Sequence, residues 1–322
     1  MAAAARAFWI VGREAGEIRH ETLRDHRGGE VVVRALFSAI SRGTESLVFK
    51  GAVPTSEYQR MRAPFQAGEF PWPVKYGYVS VGEVEHGPLD LVGARVFVLY
   101  PHQSRYIVPV PAVHRLPAGI PPERAVLAAN LETAINGVWD SALRVGDRVA
   151  VVGGGTVGCL AAWVARRAGA VVQLVDRNPV RSHIASAFDV SFALPADAAP
   201  KADVVLHCSG SAEGLDLACR LAGFESTVTE MSWYGTTIVP LALGEAFHAQ
   251  RLRLQSSQVG HVAPAQRSRW DHARRMQLAL SLLSDSVLDV LISGESPFDE
   301  LPSVMRQLTD HPGDTLCHRI RY

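Results

Sequence analysis

Hydrophobic residues occur in short runs over the first part of the chain, up to about residue 120, with Gly, Pro and polar residues between them. Runs rich in β-branched and aromatic residues and bounded by such breakers are typical of strands. Several short strands in succession predict a compact, barrel-like β domain. The predicted strands are 7–11, 30–37, 79–84, 94–99 and 105–110.

Between the second and third of these strands lies a long irregular segment, Thr44 to Tyr76, which contains four prolines. Irregular segments of this length inside a domain are uncommon and often functional, so we expect this one to line a substrate cleft. Its aromatic residues indicate either a large, flat or apolar ligand or a loop folded on a small core of its own. They are Phe49, Tyr58, Phe65, Phe70 and Trp72.

From about Pro121 the pattern changes to alternating strands and helices. This alternation predicts a parallel sheet covered by helices on both faces. The predicted elements are strands at 171–175, 203–210 and 226–231 with a helix over 215–221, and after Gln258 a helix over 273–283, a strand over 288–292 and a helix over 301–308.

A cluster of glycines marks the start of this second region. A β-branched run passes directly into Gly153, and Gly155 and Gly158 complete a G-x-G-x-x-G pattern that opens a helix. In such a turn the first glycine permits the bend, the second lets the backbone approach a pyrophosphate, and the third lets the helix pack on the strand. The N–H groups of the first helical turn, where Thr156 and Val157 lie, then face the phosphates. The alternative is an ordinary βαβ unit with a chance glycine cluster.

A carboxylate at the end of the next strand supports a dinucleotide site. Asp176 follows the apolar run 171–175 and lies 21 positions after Gly155, close to the spacing of about 20 expected of a ribose-binding acid. Its charge repels a 2′-phosphate, which favours NAD over NADP. Arg177 and Arg181 follow it and are the groups that would bind that phosphate instead.

Composition restricts the possible partners. The 322 residues suit two domains, and Lys plus Arg equals Asp plus Glu at 32 each, so no net field attracts nucleic acid or an anionic membrane. No basic start is followed by an apolar signal segment, and no apolar run reaches the roughly 20 residues of a membrane span. We expect a cytoplasmic protein with a small-molecule substrate.

The cysteines lack any C-x-x-C pair and are expected to be reduced core residues; they are Cys159, Cys208, Cys219 and Cys317.

Three segments resemble motifs of a known family. Ile40–Glu45 resembles C-G-[ST]-[DE], Gly77–Val84 resembles G-H-E-x-x-G-x-V, and Ala129–Ala134 resembles C-x-x-x-[TS]-[AG]. On these the chain resembles the medium-chain dehydrogenase/reductase superfamily, the relatives of zinc alcohol dehydrogenase, along essentially its whole length. The first two segments also resemble the bacteriochlorophyllide dehydrogenase branch.

The resemblance implies an α/β protein with two domains and a homodimer. A β-rich, GroES-like catalytic domain would span 1–120 and be completed by 259–322. A Rossmann domain with a doubly wound parallel sheet would span 121–258. Thr133 matches a position near the nicotinamide in relatives. Independently of the resemblance, Ser209 and Gly210 end a predicted strand at the ligand-binding edge of the sheet, where loops commonly contact the cofactor.

The departures from the family motifs concern zinc. A catalytic zinc site needs three protein ligands drawn from thiolate, imidazole and carboxylate groups. Arg42 stands where the first cysteine belongs, Tyr78 and Val79 replace the His-Glu pair, and Ala129 replaces the other cysteine. The four-cysteine lobe of structural zinc is also missing. We therefore predict that the protein binds no zinc.

Without zinc, hydroxyl groups are the leading candidates to handle the proton or charge of the substrate oxygen. Thr44 lies at the family's proton-relay position, and Tyr78 replaces a zinc ligand, although Tyr78 is equally explained by packing. Glu45 is either an acid or base or one partner of a structural ion pair. Arg42 is either an anion anchor or a solvated loop residue.

These observations predict a zinc-independent, NAD(P)-dependent oxidoreductase. It would interconvert a secondary alcohol and a ketone, or reduce a conjugated carbonyl in the manner of the quinone reductases. A non-catalytic dinucleotide-binding protein is the alternative from another class, because a Rossmann site does not by itself guarantee chemistry.

Overall fold

A computed structural model describes residues 4–322 and divides the chain into two compact units. The first unit comprises Met1–Ala129 and Leu280–Tyr322, and the second comprises Asn130–Ala279. The first unit is therefore discontinuous in sequence. The domain limits predicted above, at residues 120 and 258, stay predictions.

The chain forms seventeen strands and eight α-helices over the described residues, numbered here in chain order. The strands are β1 Ala4–Gly12, β2 Ala15–Thr22, β3 Glu30–Ile40, β4 Ala67–Gly68, β5 Val74–Lys75, β6 Ser80–His86, β7 Arg95–Val98, β8 Arg105–Pro109, β9 His114–Arg115, β10 Arg148–Val152, β11 Val171–Val175, β12 Ser191–Ala193, β13 Ala202–His207, β14 Ala222–Glu230, β15 Arg253–Ser256, β16 Ile292–Pro297 and β17 Cys317–Arg321. The helices are α1 Arg42–Phe49, α2 Pro122–Ala125, α3 Ala128–Asp140, α4 Thr156–Arg167, α5 Ser182–Ala187, α6 Ala212–Leu221, α7 His272–Leu282 and α8 Leu301–Asp310.

The first unit is built on β3. One sheet has the order β16-β17-β3-β6-β7-β9, with β8 also paired to β3, and a smaller sheet has the order β2-β1-β5-β4. Successive side chains of a strand point to opposite faces, and on one face of β3 Val31, Val33 and Ala35 are buried against Val84 and Tyr106. This apolar face forms a core of the unit, and the apolar residues that it requires are the ones from which the sequence predicts a strand over 30–37.

The second unit contains a six-stranded sheet of order β12-β11-β10-β13-β14-β15, in which every pairing is parallel. Ala150 and Val152 of β10 pack in one cluster with Leu215 of α6. Val149 and Val151 therefore point to the other face, and both are buried. Two buried faces are what a doubly wound sheet requires. The predicted fold class, a β-rich GroES-like domain with a Rossmann domain, is confirmed.

Two sequence predictions of local structure were wrong. The predicted strand 288–292 is a 3₁₀ segment, Ser286–Leu291, and the strand begins only at Ile292. The Asp285 carboxylate caps the segment by accepting a hydrogen bond from the Val287 N–H over 3.1 Å, and Leu288 and Leu291 are buried three positions apart, the spacing of one 3₁₀ turn. The stretch Thr44 to Tyr76 is also not wholly irregular.

That stretch begins inside α1 and later contributes β4 and β5. The first turn of α1 is stabilised by the Glu45 carboxylate, which accepts a hydrogen bond from the Ser41 N–H over 2.8 Å. This contact satisfies one of the backbone donors that a helix start leaves unpaired. Among residues 4–322, no helix combines the length and the apolar character needed to cross a bilayer.

Candidate active site

The glycine turn connects β10 to α4 at the carboxyl edge of the parallel sheet. Gly153 has φ +106°, and a Cβ added there would lie 2.6 Å from the Ser209 backbone nitrogen. A Cβ at Gly158 would lie 1.8 Å from the Gly153 carbonyl oxygen, whereas one at Gly155 would meet nothing within 4 Å. The first and third glycines therefore allow close packing, and the second leaves backbone open to a ligand.

The helix that follows offers donors to that ligand. Gly155 is the N-cap of α4, and no side chain caps the helix start. The first N–H groups of a helix have no partner within it and carry partial positive charge. Thr156 and Val157 lie in this first turn, a position suited to an anion, and their contact with a phosphate stays a prediction.

Asp176 lies at the end of β11 and faces the same turn. Its Oδ2 accepts a hydrogen bond from the Gly154 N–H over 2.5 Å, and its Oδ1 accepts one from the Asn178 N–H over 2.8 Å. Arg181 is buried, and its Cγ lies 3.1 Å from the position of a Cβ at Gly154. Arg177 is exposed. Of the two arginines considered as phosphate ligands, Arg181 is thus the one that the structure places beside the glycine turn.

Ser209 and Gly210 follow β13, next to the glycine turn. The Ser209 hydroxyl lies 2.6 Å from His207 Nε2, and His207 Nδ1 lies 2.7 Å from a carboxylate oxygen of Glu230. The other Glu230 oxygen accepts a hydrogen bond from the Ser232 N–H over 2.7 Å. Burial raises the pKa of Glu230, but the hydrogen bonds from His207 and Ser232 outweigh it and lower the pKa overall.

In the first unit, three hydroxyl groups meet at the position of Tyr78. The Tyr78 hydroxyl donates to Ser41 Oγ over 2.6 Å, and the Thr44 side chain bonds the same hydroxyl. Burial and the nearby charge of Glu45 raise the pKa of Tyr78 to about 12. The ring is also held edge-on against Tyr76, with centroids 6.2 Å apart. Tyr78 is therefore a fixed, protonated hydrogen-bond donor at neutral pH.

Glu45 lies below this cluster and is 1% exposed. One of its oxygens accepts the Ser41 N–H, and the other lies 2.9 Å from His102 Nε2. His102 Nδ1 lies 2.8 Å from Ser38 Oγ, which in turn lies 3.0 Å from the hydroxyl of Tyr322. Both carboxylate oxygens are thus engaged by buried partners. The arrangement favours the structural ion-pair interpretation of Glu45, while its predicted acid–base role stays untested.

Comparisons with known proteins fit this architecture. Residues 132–205 match the family model "Alanine dehydrogenase/PNT, C-terminal domain". The chain is 32% identical over 254 residues to the 2-desacetyl-2-hydroxyethyl bacteriochlorophyllide A dehydrogenase of Rhodobacter capsulatus, covering 72% of this chain and 74% of that protein. The chain belongs to the medium-chain dehydrogenase/reductase superfamily.

Two further dehydrogenases match nearly the whole chain. The D-guloside 3-dehydrogenase of Escherichia coli K12 is 27% identical over 322 residues, which covers 89% of this chain and 91% of that protein. The crystal structure of L-idonate 5-dehydrogenase from Escherichia coli K-12 superposes with a TM-score of 0.82 at 14% identity, covering 100% of this chain and 99% of that one. This medium-chain dehydrogenase is therefore an NAD(P)-dependent enzyme, an oxidoreductase that acts on alcohols. The family assignment favours it over the non-catalytic alternative.

The positions at which family members hold catalytic zinc carry no metal ligands in this medium-chain dehydrogenase. Val79 and Ala129 are buried apolar residues, Arg42 opens α1, and Tyr78 is engaged with Ser41. Within residues 4–322 no three His, Cys, Asp or Glu side chains are grouped so that they could hold a metal ion. That the protein binds no zinc stays a prediction.

The aromatic residues of the 44–76 stretch contact the protein itself. Phe49 and Phe70 are buried, and a Cβ at Gly51 would lie 2.5 Å from the Trp72 ring. Tyr58 packs on Phe70 with centroids 5.5 Å apart. These contacts favour a stretch folded on a core of its own over one that presents these rings to a ligand.

Thr133 lies on α3 and is half-buried. The same helix carries a network that sequence reasoning missed. The Arg275 side chain is 1% exposed; it bonds Glu132 over 3.0 Å and Asn136, and its guanidinium also donates to the Val259 carbonyl over 2.5 Å. Burial raises the pKa of Glu132 even beside Arg275. Arg275 thus ties α3 to the segment that follows β15.

Sequence reasoning also missed His102 in the first unit, and His207 and Glu230 in the second. A signal for His207 was present, since residues i and i+2 of a strand lie on one face, and Ser209 follows at that spacing. Glu230 is brought to His207 by the parallel pairing of β13 with β14, in which the two are register partners. The sequence carries no comparable signal for His102.

Proposed function

We propose that this medium-chain dehydrogenase transfers hydride without zinc, interconverting a secondary alcohol and a ketone. The observation that carries the proposal is the hydrogen-bonded cluster of Tyr78, Ser41 and Thr44 at the position where relatives bind zinc. When bound, the nicotinamide supplies or accepts the hydride. The protein then has to bind the substrate oxygen and manage its proton.

The Tyr78 hydroxyl is suited to that task. Because its pKa is raised to about 12, it remains protonated at neutral pH and can donate a hydrogen bond to a carbonyl oxygen that gains negative charge during reduction. Ser41 and Thr44 can then donate to the Tyr78 oxygen, which keeps the proton available for transfer. In the oxidation direction the alcohol proton would be relayed: Tyr78 takes it up as its own proton passes to Thr44, and the half-buried Thr44 passes its proton to water, so that no hydroxyl gains net charge.

The names of the relatives narrow the substrate class. D-guloside 3-dehydrogenase and the hydroxyethyl bacteriochlorophyllide dehydrogenase both refer to molecules that carry a secondary alcohol. We therefore propose a secondary alcohol on a sugar derivative or a hydroxyethyl group on a larger ring system. Reduction of a conjugated carbonyl, in the manner of a quinone or enone reductase, is the second candidate because an activated double bond accepts hydride with little acid assistance.

The proposed cofactor is NAD rather than NADP. The Asp176 carboxylate is held at the glycine turn by two backbone N–H groups, where its charge opposes a 2′-phosphate and its oxygens are positioned to accept from ribose hydroxyls. Arg181, beside the same turn, is the group that would favour NADP. Comparing the Kd values of NADH and NADPH by fluorescence distinguishes the two.

We also propose a cytoplasmic homodimer. β15 is an edge strand of the parallel sheet, and all four of its residues are exposed. Exposed edge strands pair readily with a second chain. Sedimentation should give the mass of two chains for the wild-type protein and a lower mass for Leu254→Lys, whereas Val171→Lys, on a different strand, should leave the mass unchanged.

The decisive experiment measures NAD(H)-coupled turnover after exhaustive dialysis against a chelator, with zinc content determined by mass spectrometry. The substrate panel would contain sugar-derived secondary alcohols, hydroxyethyl tetrapyrroles, quinones and enones. Full activity with less than one zinc in ten chains supports the proposal. Activity that is lost on dialysis and restored by one equivalent of zinc overturns it, and turnover of quinones alone supports the second candidate.

A further inference from the structure

We propose that Ser209 is an activated nucleophile, the reactive member of a Ser209–His207–Glu230 triad that takes small activated acyl or phosphonyl groups. This chemistry is separate from hydride transfer and uses none of the hydroxyl groups around Tyr78. The site lies on the loop that follows β13, where Ser209 is exposed while the His207 side chain is 0% exposed.

The geometry matches that of a nucleophile, its base and the group that orients the base. The Ser209 hydroxyl lies 2.6 Å from His207 Nε2, and His207 Nδ1 lies 2.7 Å from Glu230. An ionised carboxylate only accepts hydrogen bonds, so Glu230 places the imidazole proton on Nδ1 and leaves Nε2 free to accept the seryl proton. This tautomer is the one that general-base activation of a serine requires.

The surrounding structure keeps the three side chains in place. A Cβ at Gly214 would lie 2.0 Å from Ser209 Oγ and 2.8 Å from His207 Nε2, so only glycine leaves room for this pair. The Tyr234 hydroxyl donates to Glu230 over 2.9 Å. The Glu230 carboxylate is thus held by the tyrosine hydroxyl as well as by the imidazole.

The covalent step is balanced by groups that are present. Ser209 Oγ attacks the carbonyl carbon of an activated ester while its proton passes to His207 Nε2. The new C–O bond forms as the bond to the leaving group breaks, and the imidazolium then protonates the leaving oxygen. Water attacking the acyl-enzyme, with the same imidazole as base, would regenerate Ser209.

The backbone around Ser209 predicts that this second half-reaction is slow. The Gly210 N–H donates to Ser232 Oγ over 3.0 Å, and the Ser211 N–H is directed at Ser209 Oγ itself over 3.3 Å. Neither donor is aimed at the oxygen of an incoming acyl group, and an oxyanion donor is worth roughly 100-fold or more in rate. We therefore expect stoichiometric modification with little turnover.

The position of Ser209 also links modification to the cofactor. A Cβ at Gly153 would lie 2.6 Å from the Ser209 backbone nitrogen, so the serine adjoins the glycine turn. If the dinucleotide binds there, as the proposed function holds, NADH should protect Ser209. Loss of protection alone would count against the cofactor site, whereas loss of modification would count against the triad.

The test is labelling of the intact protein with a fluorophosphonate probe and with p-nitrophenyl acetate, followed by peptide mass spectrometry. The label is expected on Ser209 at about one per chain, with a burst of one p-nitrophenol and little turnover afterwards. Ser303 is a matched control, since it is exposed and its hydroxyl donates to the Glu300 carbonyl. Ser303→Ala should leave labelling unchanged, and Ser209→Ala should abolish it.

His207→Gln and Glu230→Gln test the relay and should each slow labelling by roughly 100-fold or more, the usual worth of a general base. Urea unfolding of each variant shows whether it is folded. If His207→Gln does not fold, the labelling rate of Glu230→Gln decides the test. An unlabelled wild-type Ser209, or labelling whose rate neither variant changes, would overturn the proposal.

Discussion

The Tyr78 hydroxyl lies 2.6 Å from Ser41 Oγ, although 37 positions separate the two residues in the sequence. The contact joins the start of α1 to the segment before β6 and fixes a protonated tyrosine at the histidine position of the G-H-E-x-x-G-x-V motif. Because Glu45 accepts the Ser41 N–H, the buried chain through His102 fixes the Ser41 backbone and thereby this cluster.

Tyr78→Phe should reduce kcat/KM for the preferred substrate by roughly 100-fold or more, because it removes the proposed proton donor. Tyr106 offers a matched control, since its buried hydroxyl donates to Ser80 Oγ over 2.9 Å in the same unit. Tyr106→Phe should leave kcat/KM within about twofold. Equal losses in the two variants would mean that Tyr78 acts only through packing. Steady-state kinetics checks the comparison.

Gly155→Val should leave the fold intact and weaken dinucleotide binding by about tenfold or more, because the new side chain occupies open space that the ligand needs. A Cβ meets nothing within 4 Å at Gly155 or at Gly28, which lies in the other unit. Gly28→Val is therefore the control and should bind NADH normally. Normal NADH binding by Gly155→Val, measured by calorimetry, would remove the basis for the pyrophosphate site.

Asp176→Asn should weaken NADH binding by about tenfold and narrow or reverse the preference over NADPH, because it removes the charge that opposes a 2′-phosphate. Asp216→Asn is the control, since that carboxylate pairs with Arg220 on the surface of α6. Fluorescence titration with both nucleotides measures the ratio of the NADPH and NADH Kd values. An unchanged ratio would show that another group, with Arg181 the first candidate, decides the specificity.

Arg275→Ala should lower the free energy of unfolding by about 3–5 kcal/mol, because it leaves the buried Glu132 without its charge partner. Arg220→Ala removes the exposed ion pair with Asp216 and should lower the free energy of unfolding by no more than about 0.5 kcal/mol. Urea unfolding at pH 7 measures both. Adding Glu132→Gln to the Arg275 variant should recover part of the loss; a double variant as unstable as the sum of the two single variants would argue against the pair as the cause.

Stability should fall as the pH rises above 9. Burial raises the pKa values of Cys159 and Cys317 from 9.0 to about 12. The unfolded chain therefore releases these protons before the folded one does. The contribution of the two protonated thiols to the free energy of unfolding is complete below pH 9 and is lost as the pH rises towards 12. Each thiol loses about 1 kcal/mol for every pH unit in this range.

Urea unfolding between pH 7 and 10.5 tests this, and Cys159→Ala should flatten the slope relative to the wild-type protein. The folded protein should also resist alkylation of both thiols at pH 8, because the thiolate is the reactive form. Rapid alkylation of either thiol in the folded protein would contradict the raised pKa.

The sequence by itself determined most of the regular structure and the glycine turn. The apolar, β-branched runs at 30–37 and 171–175 specify strands because such residues pack well on a pleated surface. The glycines at 153 and 158 specify the turn because a Cβ at either position would collide with the backbone. Such features depend on neighbours a few positions apart, so they can be read without a fold.

Tertiary structure alone decided which polar groups meet. Glu230 reaches His207 through the register of two parallel strands, and His102 reaches Glu45 across 57 positions. Strand pairing and register depend on burial of whole faces rather than on local pattern. The predicted strand at 288–292 failed for a related reason: Leu288 and Leu291 are buried three positions apart, and a short apolar run is compatible with a strand or a helical turn until the core that buries it is known.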